Sequence, residues 1–299
     1  MSLYLFDFSD PIPANHRASL PPYLHVNAAT TYDILLLRLL TSTIEITNKK
    51  ISKRIRLTHN FTTFPFHQVS RKSARQIRSL LTPFSIADYV KYSQKFYGRN
   101  IIFYHNLLQE LTFYFNYSYL QQYQSAFVNL YRSLEYLSYS FPLIHSSHFS
   151  NYIGSFTALR SYLLNDKTGE LKFFEKFVEK IFQGTPYLSL TTNFNFPHPD
   201  VNVANNCYDS FYAQMNTADW TTANRATHSL SIENSKLLGL FINARNRYFH
   251  FASGGQRNIS NTDLKDPDFF FENINPKFLN WIAFIYSTVI RESLDNTLI

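Results

Sequence analysis

Apolar residues recur every three or four positions over most of the chain, which is the pattern of amphipathic helices. From about residue 85 onward this spacing predicts a succession of helices, and Phe127, Leu130 and Leu134 mark the apolar face of one of them. The predicted helices cover residues 101–119, 123–141, 149–164, 169–182, 232–249 and 276–295. Pro142 is expected to end the second, and Pro276 to begin the last. The sequence therefore predicts a mostly α protein.

The first 95 residues follow a different pattern. Several prolines favour an extended or looped chain over residues 9–23. Residues 44–47 and 51–58 alternate apolar and polar side chains around a polar turn, which predicts a small hairpin. Residues 70–81 predict a helix that ends before Pro83. Residues 1–95 are therefore expected to form a small basic α+β region, followed by a helical domain over residues 96–299.

Residues 183–229 interrupt the helical pattern with Gly184, Pro186 and many asparagines. They predict a long insert without regular structure, apart from one short helix near residues 207–215. Loops of that length inside a compact domain are often functional. The insert is therefore a candidate gate for a functional site.

The composition predicts a packed protein with a positively charged surface. Hydrophobic residues make up 45% of the chain and aromatic residues 17%, enough for one large core or two modest ones. With only 7 glycines, a glycine-rich nucleotide-binding loop is disfavoured. The formal charge of +7 makes nucleic acid the first candidate partner, although charge alone does not fix one and a merely basic protein stays possible.

Cysteine content and hydropathy bear on the cellular location. The single cysteine, Cys207, excludes an internal disulfide and fits a reducing compartment. No basic segment followed by an apolar core opens the sequence, and the longest apolar run, residues 278–290, is too short to span a bilayer. We therefore expect a cytoplasmic protein without a membrane segment.

The strongest chemical signal is the run from Arg245 to His250, Arg-Asn-Arg-Tyr-Phe-His, at the end of a predicted helix. A histidine that moves protons, an arginine that neutralises phosphate charge and an amide that holds an oxygen can together cleave a phosphodiester without metal. Asn246 and His250 are four residues apart and share a helix face. Arg245 points away from His250, so it either reaches over or acts on a phosphate held by a second copy of the helix.

This run resembles the catalytic motif of the HEPN superfamily (higher eukaryotes and prokaryotes nucleotide-binding). Its ribonuclease members are all-helical and carry an arginine, a polar residue, a few variable residues and a histidine late in the domain. Residues 130–137 are similar to an early helix of such domains. The resemblance covers about residues 96–299, with 183–229 as an insertion, and leaves residues 1–95 unaccounted for. It implies a HEPN-like helical bundle.

The resemblance implies a metal-independent endoribonuclease that needs no cofactor. His250 would act as base on the ribose 2′-hydroxyl or as acid on the leaving oxygen. Arg245 would stabilise the pentavalent phosphate, and Asn246 would hold a phosphate oxygen or orient the histidine. The products would be a 2′,3′-cyclic phosphate and a 5′-hydroxyl. The resemblance further implies a homodimer with a composite site, a toxin or anti-phage defence role, and restraint by an antitoxin or sensor protein.

Further candidates for RNA binding are basic residues outside the three catalytic positions: Arg71, Arg75, Arg78, Lys53, Arg54 and Arg247. Basic stripes of this kind track phosphates, but they are as often a solvated surface or, for a single arginine, part of an ion pair. Arg132 and Glu135, three residues apart, are expected either to pair within one helix or to position the site.

Two alternatives to a nuclease stay open. A non-catalytic RNA- or nucleotide-binding HEPN module could scaffold a defence complex, and polar residues at a helix end can be caps alone. His145 and His148 lack the additional ligands of a metal site. Cys207 has no histidine near it in sequence and is expected to be an ordinary thiol.

Overall fold

The computed structural model describes residues 5–147, 152–163, 170–249 and 258–298, and it is mostly helical. The helices are α1 (Ala14–Arg17), α2 (Tyr32–Leu40), α3 (Ala74–Leu81), α4 (Ile86–Phe96), α5 (Ile101–Tyr119), α6 (Tyr123–Ser147), α7 (Tyr152–Leu163), α8 (Glu170–Ile181), α9 (Val201–Tyr212), α10 (Leu237–Phe249), α11 (Asn261–Leu264) and α12 (Pro267–Leu298). The strands are β1 (Phe6–Ser9), β2 (Glu45–Asn48), β3 (Lys53–Arg56), β4 (His59–Asn60), β5 (His67–Gln68), β6 (Thr191–Asn195), β7 (Trp220–Asn224) and β8 (Ser229–Glu233).

The strands form small antiparallel sheets with the orders β1-β2-β3, β4-β5 and β6-β8-β7. The predicted hairpin is confirmed, because β2 and β3 pair with Glu45 opposite Arg56 and Asn48 opposite Lys53. The N-terminal strand β1 adds to the other edge of β2. The prediction of a mostly α protein with a small N-terminal α+β region is therefore confirmed at the level of fold class.

The centre of the molecule is built around α6, which packs against both α5 and α12. Phe127 of α6 is fully buried and meets the ring of Phe271 on α12 at 4.9 Å and that of Phe241 on α10 at 5.2 Å. The N-terminal sheets join the same core, since Phe6 contacts Phe113 of α5 at 5.2 Å. The apolar positions that set the helical pattern thus converge on one interior.

The predicted ends of α5 agree with the structure, whereas two prolines that were expected to mark helix ends lie inside helices. α5 spans Ile101–Tyr119 as predicted. The expectation that Pro142 ends α6 is wrong, because the helix continues to Ser147 with the proline inside it. Pro276 likewise lies inside α12, which begins at Pro267. Buried faces on both sides of each proline keep these helices continuous, since packing can outweigh one lost backbone hydrogen bond.

The prediction that residues 183–229 form a long loop is wrong. The segment contains β6, α9 and β7, and both strands pair with β8. Phe194 of β6 and Leu230 and Ile232 of β8 are fully buried, so short alternating strands supply part of the core. Because β8 occupies residues 229–233, the helix predicted to start at residue 232 begins only at Leu237. Because the segment is polar and rich in asparagine, the alternation of apolar and polar residues in these strands was not recognised.

Two further corrections concern the N-terminal region. The helix predicted over 70–81 begins at Ala74, where Ser73 caps it together with Gln76, so Arg71 precedes the helix. The sequence pattern did not predict α2, which is buried on nearly all sides. A helix that is buried on nearly all sides has no amphipathic period to detect.

Within the described ranges, no helix combines the length and the apolar character that a bilayer crossing requires.

Candidate active site on helix α10

Helix α10 carries the first five residues of the motif, Arg245 to Phe249, and packs along α6. Leu240, Phe241 and Ala244 are buried and anchor the helix up to the turn before the motif. The ring of Phe241 meets that of Tyr131 on α6 at 5.5 Å. The motif therefore projects from a rigid element.

Arg245 and Asn246 lie together and are both half-buried. The Nη1 of Arg245 donates to the Oδ1 of Asn246 at 3.1 Å, and its guanidinium carbon lies 4.9 Å from the centre of the Tyr131 ring. Arg245 forms no ion pair with any carboxylate of the described residues. Its charge is thus oriented by an amide and an aromatic face, neither of which neutralises it.

The third expected catalytic residue, His250, lies outside the described residues. It follows Phe249, the last residue of α10, in the chain.

Arg247 faces away from this pair toward α9. Its Nη1 donates to the carbonyl of Ala213, and it lines a cavity of about 350 Å³ together with Asp209 and Asp263. Burial lowers the pKa of the Arg247 guanidinium. Two carboxylates in the same cavity make it less suited to a phosphate than the surroundings of Arg245.

Tyr248 connects α10 to the start of α6. Its hydroxyl donates to the Oε1 of Gln124 at 2.6 Å and also contacts Asn261. The last turn of α10 is thereby fixed against two other helices. Neither Tyr131 nor Gln124 was predicted as part of the site, because a contact between distant helices leaves no local spacing in the sequence.

Arg132 does not form the expected pair with Glu135. Its Nη2 contacts the Oε1 of Glu110 on α5 at 3.0 Å, while Glu135 is exposed. Burial raises the pKa of Glu110, and the charge of Arg132 partly offsets that effect. This ion pair joins α5 to α6 one residue away from Tyr131, so it braces the surface on which Arg245 rests.

The remaining basic candidates lie in the N-terminal region. Arg75 and Arg78 are exposed on α3, and Arg71, which precedes α3, contacts His16. Lys53 and Arg54 are exposed on β3. The two groups are neighbours, because the Nζ of Lys72, next to Arg71, donates to the carbonyl of Leu57 just beyond β3. Burial lowers the pKa of Lys72 to about 8.

The described residues contain no group of three or more histidines, cysteines and acids that could hold a metal ion. His145 packs edge-on against Phe177 at 5.7 Å, and His148 lies outside the described residues. Cys207 is fully buried against the carbonyl of Leu264 at 3.8 Å, and burial raises its pKa to about 12. That thiol therefore stays protonated at neutral pH.

Comparison of the chain with protein-family models, with curated proteins and with solved structures gives no match in any of the three.

Proposed function

We propose that the protein is a metal-independent endoribonuclease of the HEPN type. The observation that carries the proposal is the state of Arg245, a half-buried arginine held by Asn246 and Tyr131 and paired with no carboxylate of the described residues. A half-buried cation without a counter-ion favours an anionic ligand. The ligand proposed for it is a phosphate of RNA.

The chemistry follows from the residue types in the motif. His250 takes the proton from a ribose 2′-hydroxyl, and the 2′-oxygen attacks the adjacent phosphorus. Arg245 and Asn246 stabilise the negative oxygens of the pentavalent phosphate. The bond to the 5′-oxygen breaks, and that oxygen leaves with a proton. The products are a 2′,3′-cyclic phosphate and a 5′-hydroxyl, so DNA, which lacks the 2′-hydroxyl, is not a substrate.

The active unit proposed here is a homodimer of HEPN-like bundles. Arg245 precedes His250 by five residues, which places the two more than a quarter turn apart on a helix. A two-fold axis beside α10 would bring Arg245 of one copy near His250 of the other. The resemblance to HEPN ribonucleases supports a role as a toxin or anti-phage effector. Because an enzyme that cuts cellular RNA needs restraint, an antitoxin or sensor protein is the partner proposed for it.

Cleavage of total RNA tests the proposal. The parent, His250→Ala, Arg245→Ala and a control, Arg99→Ala, are purified and incubated with RNA. Arg99 is exposed in the short turn between α4 and α5, so the control removes an arginine without touching α10. We expect cleavage by the parent and the control and none by the two motif variants. RNA retention by all four proteins without cleavage would instead identify a binding module.

A further inference from the structure

A cavity of about 430 Å³ lies where the end of β3 meets the end of α5, the start of α6 and α12. Its walls are aromatic to an unusual degree. The aromatic side chains that line it are Phe61, Tyr114, Phe115, Tyr119, Tyr123 and His59. This volume lies in the range of sites for small organic ligands, and aromatic walls suit a flat ring.

Two polar atoms of residues that line this cavity, the Ser118 hydroxyl and the Oδ1 of Asn275, are buried without a hydrogen-bond partner among the described residues. Asn275 of α12 is only 1% exposed, and its Nδ2 donates to the carbonyl of Tyr123 at 2.9 Å. Its Oδ1 accepts no hydrogen bond from the described residues. An unsatisfied buried acceptor is costly, so a donor from a ligand would improve the site. The amino groups of nucleobases are donors of this kind.

The charges around the cavity are arranged on two sides. Arg56 lines it on the β3 side and pairs there with Glu45 at 3.6 Å, and the ammonium of Lys72 donates to the carbonyl of the lining residue Leu57, so cations outnumber carboxylates on this side. On the opposite side Glu272 accepts a hydrogen bond from the Tyr123 hydroxyl at 2.9 Å. An anionic part of a ligand is therefore directed toward β3, and a part that donates hydrogen bonds toward α12.

We propose that the cavity takes one unstacked base of single-stranded RNA, with the neighbouring phosphates lying along β3. Arg54 is exposed on the same face of that strand as Arg56, and Lys53 is exposed next to it. Flipped-out bases stacked on aromatic side chains, with cations along the backbone, are the usual way in which proteins bind single strands. The inference takes RNA as the ligand class from the proposed function.

The cavity and the motif lie on either side of the start of α6. Tyr123 lines the cavity, and the next residue, Gln124, is bonded to the hydroxyl of Tyr248 on α10. An RNA strand anchored by one base in the cavity can therefore extend past the start of α6 toward the motif. The site would select unpaired RNA, since a base within a duplex cannot enter.

Binding to a short fluorescent single-stranded RNA tests the inference, with His250→Ala as the parent so that no RNA is cut. Tyr119→Ala removes a cavity wall, and Tyr139→Ala is the matched control, because these tyrosines are 45% and 46% exposed and Tyr139 lies outside the cavity. We expect Tyr119→Ala to weaken binding about tenfold, as loss of one stacked base does, and the control to change it by less than about twofold. Tyr119→Phe, which keeps the ring, should bind like the parent.

The outcomes separate this inference from the proposed function. Equal dissociation constants for Tyr119→Ala and Tyr139→Ala, or no binding of single-stranded RNA by the parent, would overturn the inference. An equal loss of affinity of Tyr119→Ala for a duplex of the same sequence would overturn it too. Cleavage by the protein with His250 intact is measured separately and tests the nuclease proposal alone. Weaker binding by Tyr119→Ala without any cleavage would support the base-binding cavity and contradict the nuclease proposal.

Discussion

Two arginines of this chain have opposite surroundings. Arg38 on α2 is fully buried and meets Asp10, with its Nη2 2.8 Å from the carboxylate Oδ1. The same guanidinium donates to the carbonyls of Leu24 at 2.7 Å and Thr43 at 2.6 Å. Arg245 on α10 is half-buried and is held by an amide and a tyrosine ring.

The difference separates a structural arginine from a candidate ligand-binding one. The hydrogen bonds and charge of Arg38 are used inside the protein, so it can only hold the N-terminal region together. The guanidinium of Arg245 keeps donors and charge that the described residues do not use. By burial alone, Arg38 is the more unusual of the two arginines. The hydrogen-bond and charge partners of each residue instead favour Arg245 as the one proposed to bind a phosphate.

The largest expected effect is on stability, at Arg38. We expect Arg38→Met to lower the free energy of unfolding by about 3–5 kcal/mol, because buried Asp10 keeps only the partly exposed Arg17, 3.7 Å away, as a cation and the carbonyls of Leu24 and Thr43 lose their donor. Arg99→Met, at an exposed position, should change it by less than about 0.5 kcal/mol. Urea denaturation followed by circular dichroism measures both. Equal midpoints for the two variants would refute the structural role of Arg38.

The next effect is on activity, at Arg245. Arg245→Ala should slow RNA cleavage by about 10²–10³-fold, the cost of removing one group that stabilises a developing charge, which leaves no detectable product in an endpoint assay. Arg245→Lys should recover little of the cleavage rate, since lysine cannot bind a phosphate in a bidentate way.

The unfolding free energy of Arg245→Ala should stay within about 1 kcal/mol of the parent, unlike that of Arg38→Met. Initial cleavage rates and urea midpoints, measured on the same preparations, show whether the two arginines really differ. A large loss of stability at Arg245 would place it in the same class as Arg38.

A smaller effect concerns a second buried carboxylate in the N-terminal region. Burial pushes the pKa of Asp10 up, but the hydrogen bond and charge of Arg38 outweigh it, so its pKa is lowered. Asp33 on α2 has no cation beside it, and burial raises its pKa although Ser93 donates to it. The Asp10 pair therefore loses its contribution as pH falls below about 4, whereas Asp33 costs stability as pH rises from about 4 through its raised pKa.

Asp33→Asn should accordingly raise the free energy of unfolding at pH 8 by about 1 kcal/mol and leave it unchanged at pH 4. Asp10→Asn should lower it at pH 8. Urea denaturation at both pH values tests the sign of each change. A gain from Asp10→Asn would contradict the assignment of the buried pair.

The smallest effect is on RNA binding by the basic surface of β3. Replacing Lys53 and Arg54 by alanine together should lower the dependence of binding on salt, with the slope falling by about 0.7 for each lost contact with a single strand. Affinity at moderate salt should fall only several-fold. Titrations at several salt concentrations measure the slope. An unchanged slope would mean that these side chains are a solvated surface.

Regular periodicity made part of the fold predictable. α5 and the β2–β3 hairpin follow from their apolar spacing, because each buries one face. α2 was missed since it is buried on nearly all sides, and β6, β7 and β8 were missed because short strands in and beside an asparagine-rich segment resemble loops by composition. The prolines of α6 and α12 gave misleading helix ends, since tertiary packing overrides local preference.

The site was predictable only in its local part. Arg245 and Asn246 are adjacent in sequence, and their contact follows from one helix. Tyr131 beneath Arg245, Glu110 beside Arg132 and Asn275 in the cavity come from other helices. Contacts of that kind depend on how helices pack, which single-sequence spacing does not encode.

The chemical ends of cleaved RNA test the central claim most directly. A defined single-stranded RNA is incubated with the protein in the presence of a chelator, and the fragments are analysed by mass spectrometry. We predict a 2′,3′-cyclic phosphate on one fragment and a 5′-hydroxyl on the other, with no products from Arg245→Ala or His250→Ala. A free 3′-hydroxyl product, or cleavage abolished by the chelator, would contradict the proposed mechanism.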